Sequence, residues 1–173
     1  MSPEKIEKIF TFTVHEESLS VKVQRSFDAP LDLVWAAWTE AELLEQWWGP
    51  KPYRAESKAM DFREGGQWLY SMVGPQGDRH WGLKRFSKIE PRKRFTYRSF
   101  FCDENGSVSP AATGSTWVNS FVEASGMTLV TSDILCDTLE HLEAQIKMGF
   151  KEGFSVGLDQ LEELLARLQA QEK

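Results

Sequence analysis

From Thr138 to Leu168 the sequence has the spacing of one long amphipathic helix, and this stretch constrains the fold more than any other. Leu139, Leu142, Ile146, Phe150, Leu161, Leu164 and Leu168 fall within roughly 100° of one another at ~100° per residue, so one face is apolar and needs a covering surface. Gly149, Gly153 and Gly157 recur every fourth residue on or beside that face, although each glycine disfavours helix by ~1 kcal/mol relative to alanine. Three explanations stay open: another backbone or ring packs close there, missing side chains leave room for a ligand, or the helix bends. Lys147, Lys151, Glu152 and Asp159 interrupt any long apolar run, which argues against a membrane dimerisation stripe.

The remainder of the chain must supply the covering surface. Leu19, Val21, Val23, Arg25 and Phe27 alternate with Ser20, Lys22, Gln24 and Ser26, the pattern of a strand with one buried face. Arg25 stands on the apolar parity, so it either reaches an internal carboxylate or marks where the strand leaves the core. Ala29-Pro30 begins a short helix with Asp32 in its first turn. Thr39 and Glu42 form a capping-box pattern for a second helix through Leu43, Leu44, Trp47 and Trp48, ended by Gly49-Pro50.

After Pro52, short runs punctuated by turn residues predict antiparallel strands over Tyr53–Phe62, around Trp68–Met72, over His80–Ile89 and around Phe95–Phe101. An irregular loop follows from Asp103 to Gly114. Thr116–Glu123 and Met127–Cys136 make a last hairpin, and Asp137 or Thr138 caps the final helix. Grouped strands with segregated helices predict an α+β chain. A curved antiparallel sheet of about six or seven strands wrapped on the C-terminal helix is the economical packing, in one domain spanning residues 1–173.

That order, with Phe27-Asp28-Ala29-Pro30, Val34-Trp35, Trp38-Thr39, Trp47-Trp48-Gly49-Pro50, Gly65-Gly66-x-Trp68-x-Tyr70 and Glu152-Gly153-Phe154, resembles the family related to the C-terminal domain of the activator of the Hsp90 ATPase. This family belongs to the START-like, helix-grip (SRPBCC) superfamily. The resemblance covers about residues 19–168. It implies a sheet gripping a long helix, with a cavity between them that in many relatives holds a hydrophobic or amphipathic small molecule. Because relatives include lipid carriers, cyclases, resistance proteins and cochaperone domains, it implies no single activity and no catalytic residues.

Residues 1–18 lie outside the resemblance. Ile6–Val14 is too apolar for a free tail and is expected to add a strand to a sheet edge, in this chain or in a second copy. Pairing with a second copy would make a two-fold homodimer.

Other chemistry is narrowed by what is missing. The net charge of −6 disfavours a nucleic-acid partner, and the basic clusters Lys84-Arg85 and Arg92-Lys93-Arg94 read as solvated strand ends. The N-terminus lacks a signal-like apolar run and no segment is long enough to span a bilayer, so a cytoplasmic protein without membrane insertion is expected. Cys102 and Cys136 form no Cys-x-x-Cys motif and are expected to be reduced thiols. His15, His80 and His141 have no metal-ligand spacing, and His80 and His141 read as surface residues. With no phosphate loop, dinucleotide fingerprint or nucleophile elbow, neither a metal nor a cofactor is expected.

Seven Trp, eleven Phe and three Tyr exceed what a core of this size needs for filling, which is compatible with either a thick aromatic core or a lined cavity. For a cavity, Trp68, Tyr70 and Met72 share one strand parity, as do Tyr97 with Phe101 and Trp117 with Asn119 and Phe121. Phe150 and Phe154 border Gly149, Gly153 and Gly157 on the helix. Tyr70, Tyr97, Asn119 and Arg25 would be its polar groups, and Trp47 with Trp48 would either close its mouth or pack on the sheet edge. Glu56, Glu123 and Asp133 are the candidate carboxylates. Asp133 shares parity with Met127, Leu129 and Leu135 and so would point inward, as an acid-base group or as a partner for Arg25.

The expected function is binding of a small hydrophobic ligand in this cavity without catalysis. The alternatives are a chaperone-binding, cochaperone-like module and a cyclase or hydrolase using cavity carboxylates.

Overall fold

A computed structural model describes residues 8–171. The part of Ile6–Val14 that precedes Lys8 lies outside the described residues. The elements run β1 (Phe10–His15), β2 (Ser20–Phe27), α1 (Leu31–Thr39), α2 (Ala41–Leu44), β3 (Arg54–Met60), β4 (Gln67–Val73), β5 (Arg79–Glu90), β6 (Arg94–Phe101), β7 (Ser115–Ala124), β8 (Met127–Cys136), α3 (Leu139–Lys147) and α4 (Phe150–Gln171). All eight strands join one sheet in the order β1-β2-β8-β7-β6-β5-β4-β3. Every neighbouring pair is antiparallel. The count exceeds the expected six or seven because β1 pairs along β2 from Phe10↔Arg25 to His15↔Ser20.

The concave face of the sheet wraps α4. Leu158, Leu161, Leu164 and Leu165 are each at most 2% exposed and meet β2, β8 and α1 in one continuous core with Val21, Val23, Val130 and Trp38. Each fully buried leucine contributes ~1.5–3 kcal/mol, enough to hold the helix against the sheet. Gln160 secures the middle of α4 with three hydrogen bonds. Its Nε2 donates to the Trp47 and Gly49 carbonyls at 3.1 and 2.8 Å, and its Oε1 accepts from the Lys51 amide at 2.9 Å.

The C-terminal helix is two helices, where the spacing predicts one. Thr138 caps α3 by accepting from the His141 amide at 3.0 Å, and α3 stops at Lys147. Gly149 then adopts φ +91°, a left-handed conformation that ends α3 and that other residues enter only with strain. Two of the three glycines have a structural reason, and the two reasons differ. Gly149 makes the bend. A Cβ on Gly157 would stand 3.2 Å from the Trp47 carbonyl oxygen, so that glycine lets the loop after α2 approach the helix, whereas a Cβ on Gly153 would find only Pro50 Cγ at 3.6 Å.

Smaller expectations also change. Helix α1 begins at Leu31 with Pro30 as its cap, one residue later than the sequence suggests. Thr39 caps nothing: its hydroxyl donates back to the Trp35 carbonyl at 2.8 Å, and Glu40 is the capping position of a four-residue α2. In β8 the inward parity is Thr128, Val130, Ser132, Ile134 and Cys136, which leaves Asp133 and Leu135 exposed on the convex face. Polar residues disguise that inward face. Thr128 and Ser132 are buried because their hydroxyls donate to the Ala29 carbonyl at 2.9 Å and to Asn119 Oδ1 at 2.7 Å.

Candidate functional site

The sheet registers converge on Lys84. In β5 it lies directly opposite Trp68 of β4 on one side and Ser99 of β6 on the other. It shares the parity of Gly82 and Phe86, which face the helix side. A Cβ on Gly82 would lie 2.7 Å from the Tyr70 ring, so the glycine lets that phenol lie flat beside the lysine. Trp68 and Tyr70 stack at 4.1 Å between centroids, and the cross-strand partners Tyr97 and Trp117 stack at 5.6 Å.

Between these stacks the lysine Nζ lies 4.9 Å from the Tyr97 ring, 5.0 Å from Trp48, 5.4 Å from Tyr70 and 5.5 Å from Trp117. Such distances suit cation–π attraction. Its hydrogen-bond partner is Ser99 Oγ at 2.9 Å, and among the described residues no carboxylate pairs with it. Lys84 is 4% exposed, and burial holds its ammonium down to about 7. At neutral pH the charged and neutral forms are therefore both populated.

Lys84 forms part of the wall of a cavity of about 510 Å³ between the sheet and the α3–α4 bend. Tyr70, Met72 and Trp117 wall it from the sheet side, Trp48 from the loop after α2, and Phe150, Gly153 and Phe154 from α4. Phe101, 57% exposed, sits at the rim with His80, whose Nε2 is 3.0 Å from Asp78. His141 of α3 also lines the cavity and bonds the Thr113 hydroxyl through Nδ1 at 2.9 Å. Burial lowers its pKa against the opposing pull of Asp137. Burial raises the Tyr70 phenol to about 12, with the Trp48 indole hydrogen bond working the other way. The Tyr97 phenol is likewise pushed well up by burial and by neighbouring Tyr70, so both phenols stay neutral.

The site residues expected from sequence divide into two groups. Trp48, Tyr70, Met72, Phe101, Trp117, Gly149, Phe150, Gly153 and Phe154 come together around the cavity. Trp68 and Tyr97 stand one layer back, where they back the stacks beside Lys84. Asn119 is fully buried, bonded to Ser132, and Phe121 packs against Trp35 at 5.1 Å and Trp38 at 6.0 Å in the filled end of the sheet under α1. Gly157 packs against the loop, as described above.

Arg25 lies away from the cavity and does reach carboxylates, Asp159 at 2.8 Å and Glu162 at 3.5 Å, but on the exposed flank of α4. Asp133 faces away from both the cavity and Arg25. Glu123 accepts from the Leu31 amide at 2.7 Å and so stabilises the start of α1, while Glu56 pairs with Arg54 and Arg79 on the surface. No Asp or Glu among the described residues lines the cavity.

Sequence reasoning missed Lys84, His80 and His141. The signal for Lys84 was its two-residue spacing from Phe86, since an apolar residue on the inward parity of a strand carries its i−2 neighbour inward too. For His141 there was none, because α3 turns away from α4 at a bend the helical spacing does not reveal. Among the described residues no group of side chains could hold a metal ion, and no helix is long and apolar enough to cross a membrane.

A curved antiparallel sheet closed by a C-terminal helix over an internal cavity defines the START-like, helix-grip class. Residues 28–166 match the family model described as "Activator of Hsp90 ATPase homolog 1-like protein", and the chain belongs to that family of ligand-binding domains. Solved structures agree in detail. Protein Ms6760 of Mycobacterium smegmatis is 28% identical with a TM-score of 0.83, over 91% of this chain and 97% of that one. A protein of Arthrobacter aurescens is 27% identical with a TM-score of 0.85, over 91% of each chain. Protein NE0264 of Nitrosomonas europaea is 29% identical with a TM-score of 0.77, over 88% of this chain and 97% of that one. No curated protein sequence matches.

Proposed function

We propose that this protein binds a small hydrophobic or amphipathic molecule between the sheet and the α3–α4 bend, without transforming it. The observation that carries the reading is the cavity of about 510 Å³ walled by Trp48, Tyr70, Trp117, Phe150 and Phe154, a size and lining suited to a small organic ligand. Indole and phenyl faces desolvate an apolar body, and Lys84, Ser99 and Ser115 supply the few polar groups that orient it. Among the described residues no carboxylate lines the cavity, and a cyclase or hydrolase reading depends on such groups.

Trp48 and Trp117 report on occupancy directly, since both line the cavity. Titration with an apolar fluorescent probe is expected to quench Trp emission saturably, and Gly153→Phe, which puts a ring into the space, is expected to weaken that binding at least tenfold. An unsaturable response, or equal binding by the filled variant, would refute the reading.

A further inference from the structure

We propose that the ligand is an organic anion, an apolar ring-bearing monocarboxylate whose carboxylate pairs with Lys84 Nζ while its body lies against Trp48, Trp117 and Phe154. This rests on the cavity-binding function proposed above and narrows it to a chemical class. Three observations carry it. First, Lys84 is a 4% exposed cation without a carboxylate partner. An ammonium has three donors, and Ser99 Oγ at 2.9 Å accounts for one. The four surrounding rings attract the charge but accept no ordinary hydrogen bond, so the other donors await an acceptor.

Second, the lining reverses the charge of the molecule. In a chain of net charge −6, the cavity wall carries the basic Lys84 and no acidic residue among those described. A cationic ligand would meet a buried like charge with nothing to offset it. Third, the cation is single and is surrounded by aromatic faces. A lysine with one hydroxyl neighbour matches one negative charge on an apolar body better than a dianion, which would bring an unpaired charge into a dry site.

Burial keeps the unliganded ammonium near its midpoint at about 7, whereas a carboxylate at bonding distance favours the charged form. Binding of the acid is therefore accompanied by proton uptake above neutral pH. The other titratable groups beside Lys84 or along the cavity are Tyr53, Tyr70, His80, Tyr97, Cys136 and His141. Tyr70 of β4 and Tyr97 of β6 are raised, Cys136 of β8 is raised by burial, and His141 of α3 is lowered and thus neutral above pH 7. His80 of β5 sits at the rim beside Asp78.

The test compares 9-anthracenecarboxylic acid with its uncharged analogue 9-anthracenemethanol by fluorescence titration on the full chain. At pH 7 the acid is expected to bind at least tenfold more tightly than the alcohol, and the ratio is expected to fall about tenfold by pH 9. Calorimetry of the acid at pH 8 in buffers of different ionisation enthalpy is expected to show uptake of most of one proton. In Lys84→Met, checked for native near-ultraviolet dichroism, the acid is expected to lose at least tenfold more affinity than the alcohol, so that the preference for the acid is lost.

Equal affinities for acid and alcohol in the unsubstituted protein, or an acid preference that survives in Lys84→Met, overturn the anion assignment while leaving cavity binding intact. If neither probe binds, the cavity reading falls and this inference falls with it. The pH and proton-uptake arms use the unsubstituted protein, so they decide the question even if the variant does not fold.

Discussion

Replacing Lys84 by methionine, a side chain of similar length without charge, should stabilise the fold, and by an amount that depends on pH. Lys84 is held at about 7, against 10.5 for a free lysine. Folding therefore works against the charged form, and at about 1.4 kcal/mol per pH unit the gap corresponds to roughly 5 kcal/mol. The sign follows from proton counts. Between pH 7 and 10.5 the unfolded chain holds the lysine proton and the folded chain does not, so stability rises with pH across that window. The penalty is complete below pH 7 and gone above 10.5.

Methionine removes the penalty, but it also loses the Ser99 hydrogen bond and the ring–cation attraction, together worth about 2 kcal/mol. Lys84→Met is therefore expected to be about 2–4 kcal/mol more stable up to pH 7, with the advantage falling by about 1.4 kcal/mol per pH unit above that and gone by about pH 9. Urea unfolding of both proteins at pH 6, 7, 8 and 9 measures it. Taking the difference cancels the raised Tyr70, Tyr97, Cys102 and Cys136 and the lowered His141, which titrate in both. Parallel stability curves for the two proteins would refute the claim that Lys84 is a desolvated, uncompensated cation.

Other expectations concern the scaffold of the cavity. Alanine at Gly153, where a Cβ has ordinary contact, should raise the melting temperature through a helix gain of up to ~1 kcal/mol, whereas alanine at Gly149, with φ +91°, should cost about 1–2 kcal/mol. Opposite signs in thermal melts check both. Gln160→Leu leaves the Trp47 and Gly49 carbonyls and the Lys51 amide without partners, and about 2–4 kcal/mol should be lost in urea unfolding, with a shift in Trp emission as the loop holding Trp48 loosens. Arg98 pairs with Asp137 through two bonds of 2.7 Å and holds its carboxyl below the usual range. Because Asp137 is depressed in the folded state, its contribution is present above pH 4 and is lost as pH falls further. Half-exposure limits it to about 1 kcal/mol, so Asp137→Asn should lower stability by that amount at pH 7 and by progressively less as pH falls below 4.

Much of the fold can be read from local spacing. Alternation of Trp68, Tyr70 and Met72, of Phe95 and Tyr97, and of Trp117, Asn119 and Phe121 assigns their inward faces, because side chains on a strand alternate strictly and one face here is uniformly aromatic or buried. The same logic fails in β8, where Leu129 and Leu135 occupy one parity and Val130 and Ile134 the other. Pairing with β2 and β7 decides that face, and Asp133 goes outward with it. Helical spacing places Leu161, Leu164 and Leu168 on one side of α4. It cannot show the turn at Gly149, since seven apolar positions fit a straight helix as well as a bent one.

Local spacing is enough to name the aromatic side chains on the concave face and the helical stretch that covers them, because both depend only on the period of neighbouring residues. Which of those side chains bound empty space was decided by tertiary structure. Phe121 and Trp117 are four residues apart on one strand with the same parity, yet α1 fills the sheet over Phe121, while the α3–α4 bend leaves a void beside Trp117. Lys84 shows the same division. Its charge marks it locally as a solvent residue, and only when β4 and β6 close on either side, with Trp48 brought over by the loop that Gln160 ties to α4, does that charge lie inside a cage of rings.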